Sequence, residues 1–307
     1  MAPAAPALPL CRSAVGRRCA GTAGFTLIEM LVTLVLVGVI SGAVYQMLLT
    51  NQRVYRRQAE QVELNSNVRA AVTVLPLELL ELDAGDALGS DIVFMNDAAI
   101  AYKAMRNVYF LCQPAVDAGT TGSVTVWQTP WFGLRGLDAA RDSMFLFAEA
   151  DPSTRTDNYW VHANVVTVTA GTNCPGSAAS WQVQLGGVAP AGGLVDVGDG
   201  APARSFEVVE LLAYADVLSD WWLGRRQHLK GSGWGNIEPV LGPLAPSGLY
   251  LTYFDQDGNV TATPSDVARV VARVSGQTTD PVRGSSGALE HVMDTLTVQI
   301  ALRNHRR

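Results

Sequence analysis

The order of apolar and polar residues divides the chain into three parts. Residues 30–49 contain no charge, and the run is long enough to cross a bilayer as a helix. Over residues 64–82 apolar residues recur every three or four positions among charged ones, which predicts an amphipathic continuation of that helix. Pro76 predicts a kink or an interruption, and the segment Asp83–Gly85 predicts the end of the helix.

Beyond Gly85 short runs rich in Val, Tyr, Phe and Trp alternate with Gly, Asp, Asn and Pro, a pattern typical of antiparallel strands joined by turns. The predicted strands lie near residues 91–95, 107–112, 123–128, 143–148, 159–168, 181–185, 205–215, 220–225, 249–254, 267–274 and 292–302. We interpret the Gly- and Pro-containing segment 231–248 as a surface loop. A long helix followed by antiparallel strands predicts an α+β fold.

Charges at the start of the chain predict its orientation. Arg12, Arg17 and Arg18 precede the apolar run, and the positive-inside preference places that end in the cytoplasm and the downstream head outside it. Glu29 is the only charged residue within residues 25–49. A carboxylate is costly in hydrocarbon, so we expect Glu29 to have a cationic partner; snorkelling to the interface is the alternative.

Three ordinary interpretations of the apolar run compete. A cleaved secretory signal is the main one, because Ser41-Gly42-Ala43 offers small residues to a signal peptidase. A lipoprotein signal is weaker, since neither Cys11 nor Cys19 follows a long apolar stretch. An uncleaved anchor is the third. None of the three explains Glu29, and translation starting elsewhere than Met1 stays open.

The segment Gly24-Phe25-Thr26-Leu27-Ile28-Glu29-Met30-Leu31-Val32 resembles the class III signal and methylation motif of type IV pilins and pseudopilins. The resemblance implies that a prepilin peptidase cleaves between Gly24 and Phe25 and methylates the new amine of Phe25. It also implies that Glu29 guides assembly by pairing with the Phe25 ammonium of a neighbouring subunit.

The same resemblance implies a domain organisation and a location. It comprises a prepilin leader (1–24), a transmembrane helix with the methylation motif (25–50), an amphipathic continuation (51–84) and a β-rich head (85–307). The implied fold is a pilin-like α+β fold, with the long helix packed on an antiparallel sheet. The implied location is the inner membrane, as a single pass with a cytoplasmic N-terminus, and then the periplasm or exterior as part of a pilus or pseudopilus. The implied partners are the peptidase and other pilin or pseudopilin subunits.

Downstream residues resemble the larger minor pilins of the PilW kind and the J-type minor pseudopilins of type II secretion. The resemblance rests on the segments Asn51–Arg57, Trp221–Arg226, Leu249–Asp255 and Leu296–Leu302. It implies a non-catalytic minor pilin at the tip or initiation complex of a type IV pilus. A minor pseudopilin is the alternative within the same system, and an anchored exported binding domain or enzyme is the alternative of another class.

The cysteine content predicts a disulfide in the head, and the charge argues against one class of partner. Of the four cysteines, Cys112 and Cys174 remain after loss of the leader, and in an exported head we expect them to form a disulfide; two buried free thiols are the alternative. The chain has a formal charge of -6, and the predicted leader contains only basic charges, so the head is more acidic still. This balance argues against a nucleic-acid partner.

The remaining candidate motifs do not indicate an enzyme. Asp255, Asp257 and Asn259 alternate like calcium ligands, but the glycine and glutamate of a calcium loop are misplaced, so we predict a hairpin turn there. No nucleophile-elbow or phosphate-loop motif occurs, and the histidines have no metal-binding spacing. We therefore expect no cofactor and no metal. We also expect Trp221 and Trp222 to point to opposite faces of a strand, and Arg225 and Arg226 to form a solvated strand end.

Overall fold

The computed structural model describes residues 25–85, 89–133, 135–154, 156–283 and 287–303. They belong to two compact units, one ending at Tyr55 and one beginning at Arg56. A single helix, α1 (Leu27–Leu79), contributes residues to both. In the first unit it is the only regular element described, and its side chains are almost entirely exposed.

In the second unit α1 is amphipathic, as its sequence predicts. Its buried residues recur every three or four positions and so lie on one face: Leu64, Val68, Ala71, Leu75 and Leu79. This face packs on the sheet of the same unit. The prediction of a pilin-like α+β layout, with a long N-terminal helix and a large antiparallel sheet, is therefore confirmed.

The C-terminal end of α1 differs from the prediction. Pro76 lies inside the helix, which ends at Leu79 rather than near Asp83–Gly85. Proline has no N–H to continue the hydrogen-bond ladder. The Leu80 amide still donates to the Pro76 carbonyl (2.9 Å), but the Asp83 amide donates to the carboxylate of Asp91 (2.9 Å) instead of to a helical carbonyl.

Sixteen strands are described in the second unit, and each predicted strand overlaps one of them. They are β1 (Ile92–Met95), β2 (Ala99–Phe110), β3 (Val116–Asp117), β4 (Thr121–Trp127), β5 (Phe132–Gly133), β6 (Ser143–Ala148), β7 (Tyr159–Cys174), β8 (Ala178–Ala189), β9 (Pro202–Ala215), β10 (Trp221–Leu229), β11 (Gly233–Trp234), β12 (Glu238–Phe254), β13 (Arg269–Gln277), β14 (Val282–Arg283), β15 (Leu289–Glu290) and β16 (Met293–Ala301). Short 3₁₀ helices lie at Pro175–Ser177, Gly193–Asp196 and Pro264–Asp266.

Fourteen of these strands form one antiparallel sheet, and β14 pairs with β15 separately. The main path is β16-β13-β12-β10-β9-β6-β7-β8-β4-β3, and β2 also pairs with β9. A bridge between Leu111, directly after β2, and Val126 of β4 closes part of this sheet into a ring: β2-β9-β6-β7-β8-β4. Within the second unit, part of the sheet is therefore open and part is closed into a ring.

Two hydrophobic cores follow from this arrangement. The helix-facing core joins the buried face of α1 to β1, β2, β9, β10, β12, β13 and β16, and includes Leu75, Tyr102 and Val270. The ring core fills the closed ring and includes Tyr109, Leu146 and Val183. Strands β2 and β9 contribute to both cores and so connect them.

The interpretation of residues 231–248 as a surface loop is wrong, because β11 and most of β12 lie there. Two glycines of this segment, Gly242 and Gly248, allow close packing within β12. A Cβ on Gly242 would come within 2.5 Å of the Trp222 ring, and one on Gly248 within 2.3 Å of the Ser275 carbonyl. Glycine within a strand often marks such a close approach.

Candidate functional site

The first turn of α1 holds the residues of the predicted processing and assembly site. The Thr26 carbonyl accepts hydrogen bonds from the amides of Glu29 (3.0 Å) and Met30 (3.2 Å). The Oγ1 of Thr26 also accepts from the Glu29 amide, at 3.3 Å. Thr26 is therefore the N-cap of the helix. Sequence reasoning missed this role, although threonine followed three residues later by glutamate is a capping signal. The cap fixes the turn from which the Glu29 side chain projects.

The chain itself supplies no described partner for Glu29. Its side chain is exposed, and it forms no salt bridge with any residue that the structure describes. Phe25 is 74% exposed beside it. Gly24, the other predicted cleavage-site residue, lies outside the described residues. An acidic group at the start of an apolar helix is favoured by the helix dipole, but it still needs a counter-charge in hydrocarbon.

The apolar part of α1 is suited to a bilayer. Its most apolar window has a mean hydropathy of 2.4, and none of that window is buried within the chain. At about 1.5 Å per residue, residues 30–49 rise about 30 Å, the thickness of the hydrocarbon core. Leaving this surface in water would cost about 25 cal/mol for each Å². The segment fits a single-pass membrane-anchored protein.

Cys112 and Cys174 form a disulfide, with Cα atoms 5.4 Å apart. Cys112 directly follows the Leu111 bridge residue and Cys174 ends β7, so the bond joins two parts of the ring. Both cysteines are almost completely buried. A disulfide of this kind persists in oxidising compartments and is rare in a reducing cytosol.

A group of charged residues that we name the Glu207 cluster pairs two buried acids with partly buried arginines: Glu207, Asp142, Arg106, Arg135 and Arg225. The Glu207 carboxylate accepts hydrogen bonds from Arg106 (2.6 Å), Arg225 (2.9 Å) and Arg135 (3.0 Å). Arg135 also binds both oxygens of Asp142, at 2.6 and 2.7 Å. Glu207 and Asp142 are at most 1% exposed. Paired in this way, the buried charges hold β2, β9, β10 and the segment before β6 together.

The protonation states in this region follow from burial and from the neighbouring charges. Burial by itself would raise the pKa of Glu207, but the hydrogen bonds and charges of Arg106 and Arg135 outweigh it and hold that pKa below its usual value. Burial lowers the pKa of Lys230, whose ammonium donates to the carbonyl oxygens of Val165 (2.7 Å) and Asp142. The carboxylate of Glu207 is therefore ionised at neutral pH, which suits a structural ion pair rather than proton transfer.

The expectation that Arg225 and Arg226 form a solvated strand end is wrong. Arg225 binds Glu207, and Arg226 binds Glu210 on the neighbouring strand β9. Each guanidinium side chain is less than one third exposed. The pairing of β10 with β9 brings these arginines opposite acids that are distant in sequence, so no local pattern indicated it.

Trp221 and Trp222 point to opposite faces of β10 and are both half-buried. Trp221 packs against the helix-facing core. The indole N–H of Trp222 donates to Asp216 (3.1 Å), while its ring lies against Gly242. Both tryptophan side chains therefore make their contacts within the second unit.

The aspartate-rich segment after β12 forms the predicted turn. The Asp255 carboxylate accepts a hydrogen bond from the Asn259 amide (2.8 Å), and Gly258 adopts a positive φ of 84°. Among the residues that the structure describes, no group of three or more His, Cys, Asp or Glu side chains is arranged to hold a metal ion.

Comparison with known proteins supports the N-terminal site. A family model described as the prokaryotic N-terminal methylation motif matches residues 20–45. No curated protein and no solved structure matches the chain. The match covers the predicted cleavage site, the Thr26 cap, Glu29 and most of the apolar run. The N-terminal motif therefore supports a type IV pilin-like or pseudopilin-like protein, and a motif of this type implies processing by a prepilin peptidase and assembly with other pilins.

Proposed function

We propose that this protein is a minor pilin subunit, incorporated at the tip or initiation complex of a type IV pilus after cleavage by prepilin peptidase. One observation carries the proposal: a methylation-type motif is joined to an apolar helix segment that no described residue of the chain covers. Within a filament, the helices of neighbouring subunits cover each other. The large antiparallel head supports a specialised subunit, and its role is assembly rather than catalysis.

The proposed maturation removes residues 1–24 and leaves a methylated amine on Phe25. Residues 25–50 then cross the inner membrane, 51–84 continue as the amphipathic helix and its exit, and 85–307 form the head. The N-terminus of the precursor lies in the cytoplasm and the head lies in the periplasm or outside the cell. The Cys112–Cys174 disulfide supports that side for the head, since a disulfide needs an oxidising compartment.

The proposed role of Glu29 follows from the lack of a counter-charge for it among the residues that the structure describes. A carboxylate in a bilayer is stabilised by an ammonium brought by another subunit, and the mature Phe25 amine of a neighbour supplies one. Within each chain Thr26 caps the turn between Phe25 and Glu29, and so it fixes the spacing of the Phe25 amine and the Glu29 carboxylate along the helix. The pair would form only at one axial offset between neighbouring helices, so it selects the register of the incoming subunit.

A minor pseudopilin of a type II secretion system is the second candidate, because the same motif and helix serve that filament. The two candidates differ in what the protein assembles with. Co-isolation with sheared surface pili favours the minor pilin. Co-isolation only with the secretion complex of the inner membrane favours the pseudopilin.

Mass spectrometry of the mature N-terminus, from membranes of the native host, tests the proposal. We expect a chain that begins at N-methylated Phe25. Gly24→Ala, or loss of the prepilin peptidase, should leave the leader attached. Gly38→Ala is a matched control, since a Cβ there meets nothing within 4 Å, and it should be processed normally. Cleavage after Ala43, or no cleavage, contradicts the proposal.

A further inference from the structure

The turn between β9 and β10, residues 216–220, carries two adjacent aliphatic side chains that point into solvent. Val217 is 99% exposed and Leu218 is 77% exposed. Single exposed apolar residues are common on protein surfaces, but neighbouring ones at the tip of a turn form a candidate contact surface. No described residue covers them, so a contact at the β9–β10 turn requires something outside the described chain.

Hydrogen bonds fix the backbone of the β9–β10 turn. The Asp216 carboxylate accepts from the amides of Leu218 (2.8 Å) and Asp220 (3.0 Å). It also accepts from the indole N–H of Trp222 (3.1 Å). The two aliphatic side chains are therefore held outward before any partner binds, which lowers the ordering cost of a contact. The same three bonds stabilise the charge of Asp216, so bringing it near an apolar surface is less costly.

The strand pairing shows at which end of the second unit this turn lies. One row of paired residues crosses β9, β10, β12, β13 and β16: Ala215, Trp221, Leu244, Gly276 and Asp294. A Cβ on Gly276 would meet Val68 (2.6 Å) and Leu64 (2.9 Å) of α1. Beyond this row, the Asp280 amide donates to Glu60 (3.1 Å). The β9–β10 turn therefore lies at the end of the second unit where its part of α1 begins.

Further exposed apolar side chains lie at the same end. The segment that joins β13 to β16 leaves from this row and includes Leu289, which is 66% exposed. Met293, the first residue of β16, is 64% exposed. The opposite end of the sheet lies by Leu80, whose carbonyl accepts from the Arg303 amide (2.9 Å). The end near Glu60 thus presents apolar side chains from two separate segments.

The chain itself brings an apolar surface to this end. Residues 30–49 suit a bilayer, the second unit begins at Arg56, and residues 50–55 of the same helix join them. α1 rises about 22 Å between Leu49 and Leu64, so the turn reaches lipid when the helix tilts, and membrane helices tilt by about 20° on average. The chain therefore keeps a bilayer surface within reach of this end, whereas it fixes no second protein there.

The composition of the turn suits a lipid interface. Aromatic side chains flank the aliphatic tip on both strands, and all three are half-buried: Tyr214 on β9, and Trp221 and Trp222 on β10. Tyrosine and tryptophan are enriched at membrane–water interfaces, because their rings are apolar and each carries one polar group. Residues 214–222 contain no lysine or arginine, so the contact does not depend on anionic lipid.

We propose that the β9–β10 turn rests in the interfacial layer of the bilayer that holds α1, with Val217 and Leu218 inserted among the lipids. The contact is a second, weak attachment, and the helix makes it effective because both belong to one chain. It holds the head against the membrane before assembly, and a subunit that joins a filament has to release it. The inference rests on α1 being embedded in a bilayer and not on the pilin role.

Site-specific fluorescence in the full-length chain tests the contact. Cys11 and Cys19 are replaced by serine, and the two head cysteines are already paired, so one added cysteine carries an environment-sensitive dye. The chain is placed in vesicles of zwitterionic lipid with nitroxide groups near the top of the acyl chains. We expect the dye on Val217→Cys to be quenched several-fold more than the dye on Val260→Cys. Val260 is a matched control, because it is a 70% exposed valine that bridges to Phe254 at the opposite end of the sheet.

A second substitution separates lipid contact from folding. Leu218→Asp should abolish quenching of the dye on Val217→Cys, whereas Leu218→Met should retain it. The near-ultraviolet circular dichroism should stay unchanged in both, because the Leu218 side chain is exposed. Equal quenching of the Val217→Cys and Val260→Cys dyes, or quenching that survives Leu218→Asp, overturns the proposal.

Two further readouts give the remaining outcomes a meaning. If the dye on Val217→Cys is shielded from iodide in native membranes but is not quenched by lipid nitroxide, the turn binds a protein and the proposal is overturned. A dye on Val39→Cys, within the apolar run, reports the anchor. If it escapes quenching, the anchor is refuted, and the inference and the proposed function fall together. If it is quenched and the dye on Val217→Cys is not, only the inference fails.

Discussion

Replacing Glu207 by glutamine removes the anion that three guanidinium groups share. The carboxylate is 1% exposed and lies 2.6 to 3.0 Å from Arg106, Arg135 and Arg225. Glutamine keeps the volume but leaves Arg106 and Arg225 without a described counter-charge. Breaking a buried ion pair in this way costs about 3–5 kcal/mol. A domain is typically stable by about 5–15 kcal/mol, so the loss is a large part of the total.

Urea unfolding followed by tryptophan fluorescence measures this loss in the full chain in detergent micelles. All seven tryptophans lie within residues 127–234, so the signal reports the second unit and not the apolar helix. We expect the unfolding midpoint to fall sharply with an unchanged slope. An unchanged slope shows that the same surface is exposed on unfolding.

Asp138→Asn is the matched control. Asp138 pairs with Arg141, but both side chains are about one third exposed. Exposed pairs contribute about 0–1 kcal/mol, and asparagine can still accept the Ala140 amide. If Glu207→Gln costs no more than this control, the buried cluster does not hold the strands together and our reasoning is refuted.

Three further predictions concern the disulfide, acid and assembly. Replacing Cys112 and Cys174 by alanine should lower the free energy of unfolding by about 4 kcal/mol, given a sequence separation of 62; reductant should destabilise wild type equally and leave the variant unaffected. Because the pKa of Glu207 is lower in the folded state, its contribution is complete above about pH 4.5 and is lost as the pH falls through the folded pKa. Glu207→Gln should therefore flatten acid unfolding, and a parallel acid limb would contradict this. Glu29→Gln should be cleaved normally but recovered poorly in sheared filaments, whereas Thr33→Val, which loses only a bond to the Met30 carbonyl, should incorporate like wild type.

The positions of most strands were predictable, because alternating apolar residues and turn residues are local signals. The first part of β12, residues 238–248, was not predicted. Its Gly242 and Gly248 resemble loop residues in sequence, and only the approach of Trp222 and of the Ser275 backbone shows why glycine is required within a strand. A glycine can therefore indicate a loop in one place and close packing within a sheet in another, and the sequence does not distinguish the two.

The ion pairs of the head also could not be predicted from the sequence. Arg106, Glu207 and Arg225 are far apart in the sequence, and nothing near any one of them indicates the others. They meet because β2 and β10 both pair with β9, which brings their side chains to the same buried place.

The sequence by itself determined the interpretation of residues 24–49 as a processing motif followed by an apolar helix. A glycine-phenylalanine junction, a glutamate five residues after that glycine and an uncharged run are contiguous, so the prediction of a processing motif needs no fold. Only the tertiary structure decided the closed ring, the Cys112–Cys174 bond, the Glu207 cluster and the position of the β9–β10 turn. Each of these depends on contacts between residues far apart in the chain, and such contacts arise from the pairing of strands rather than from any local pattern.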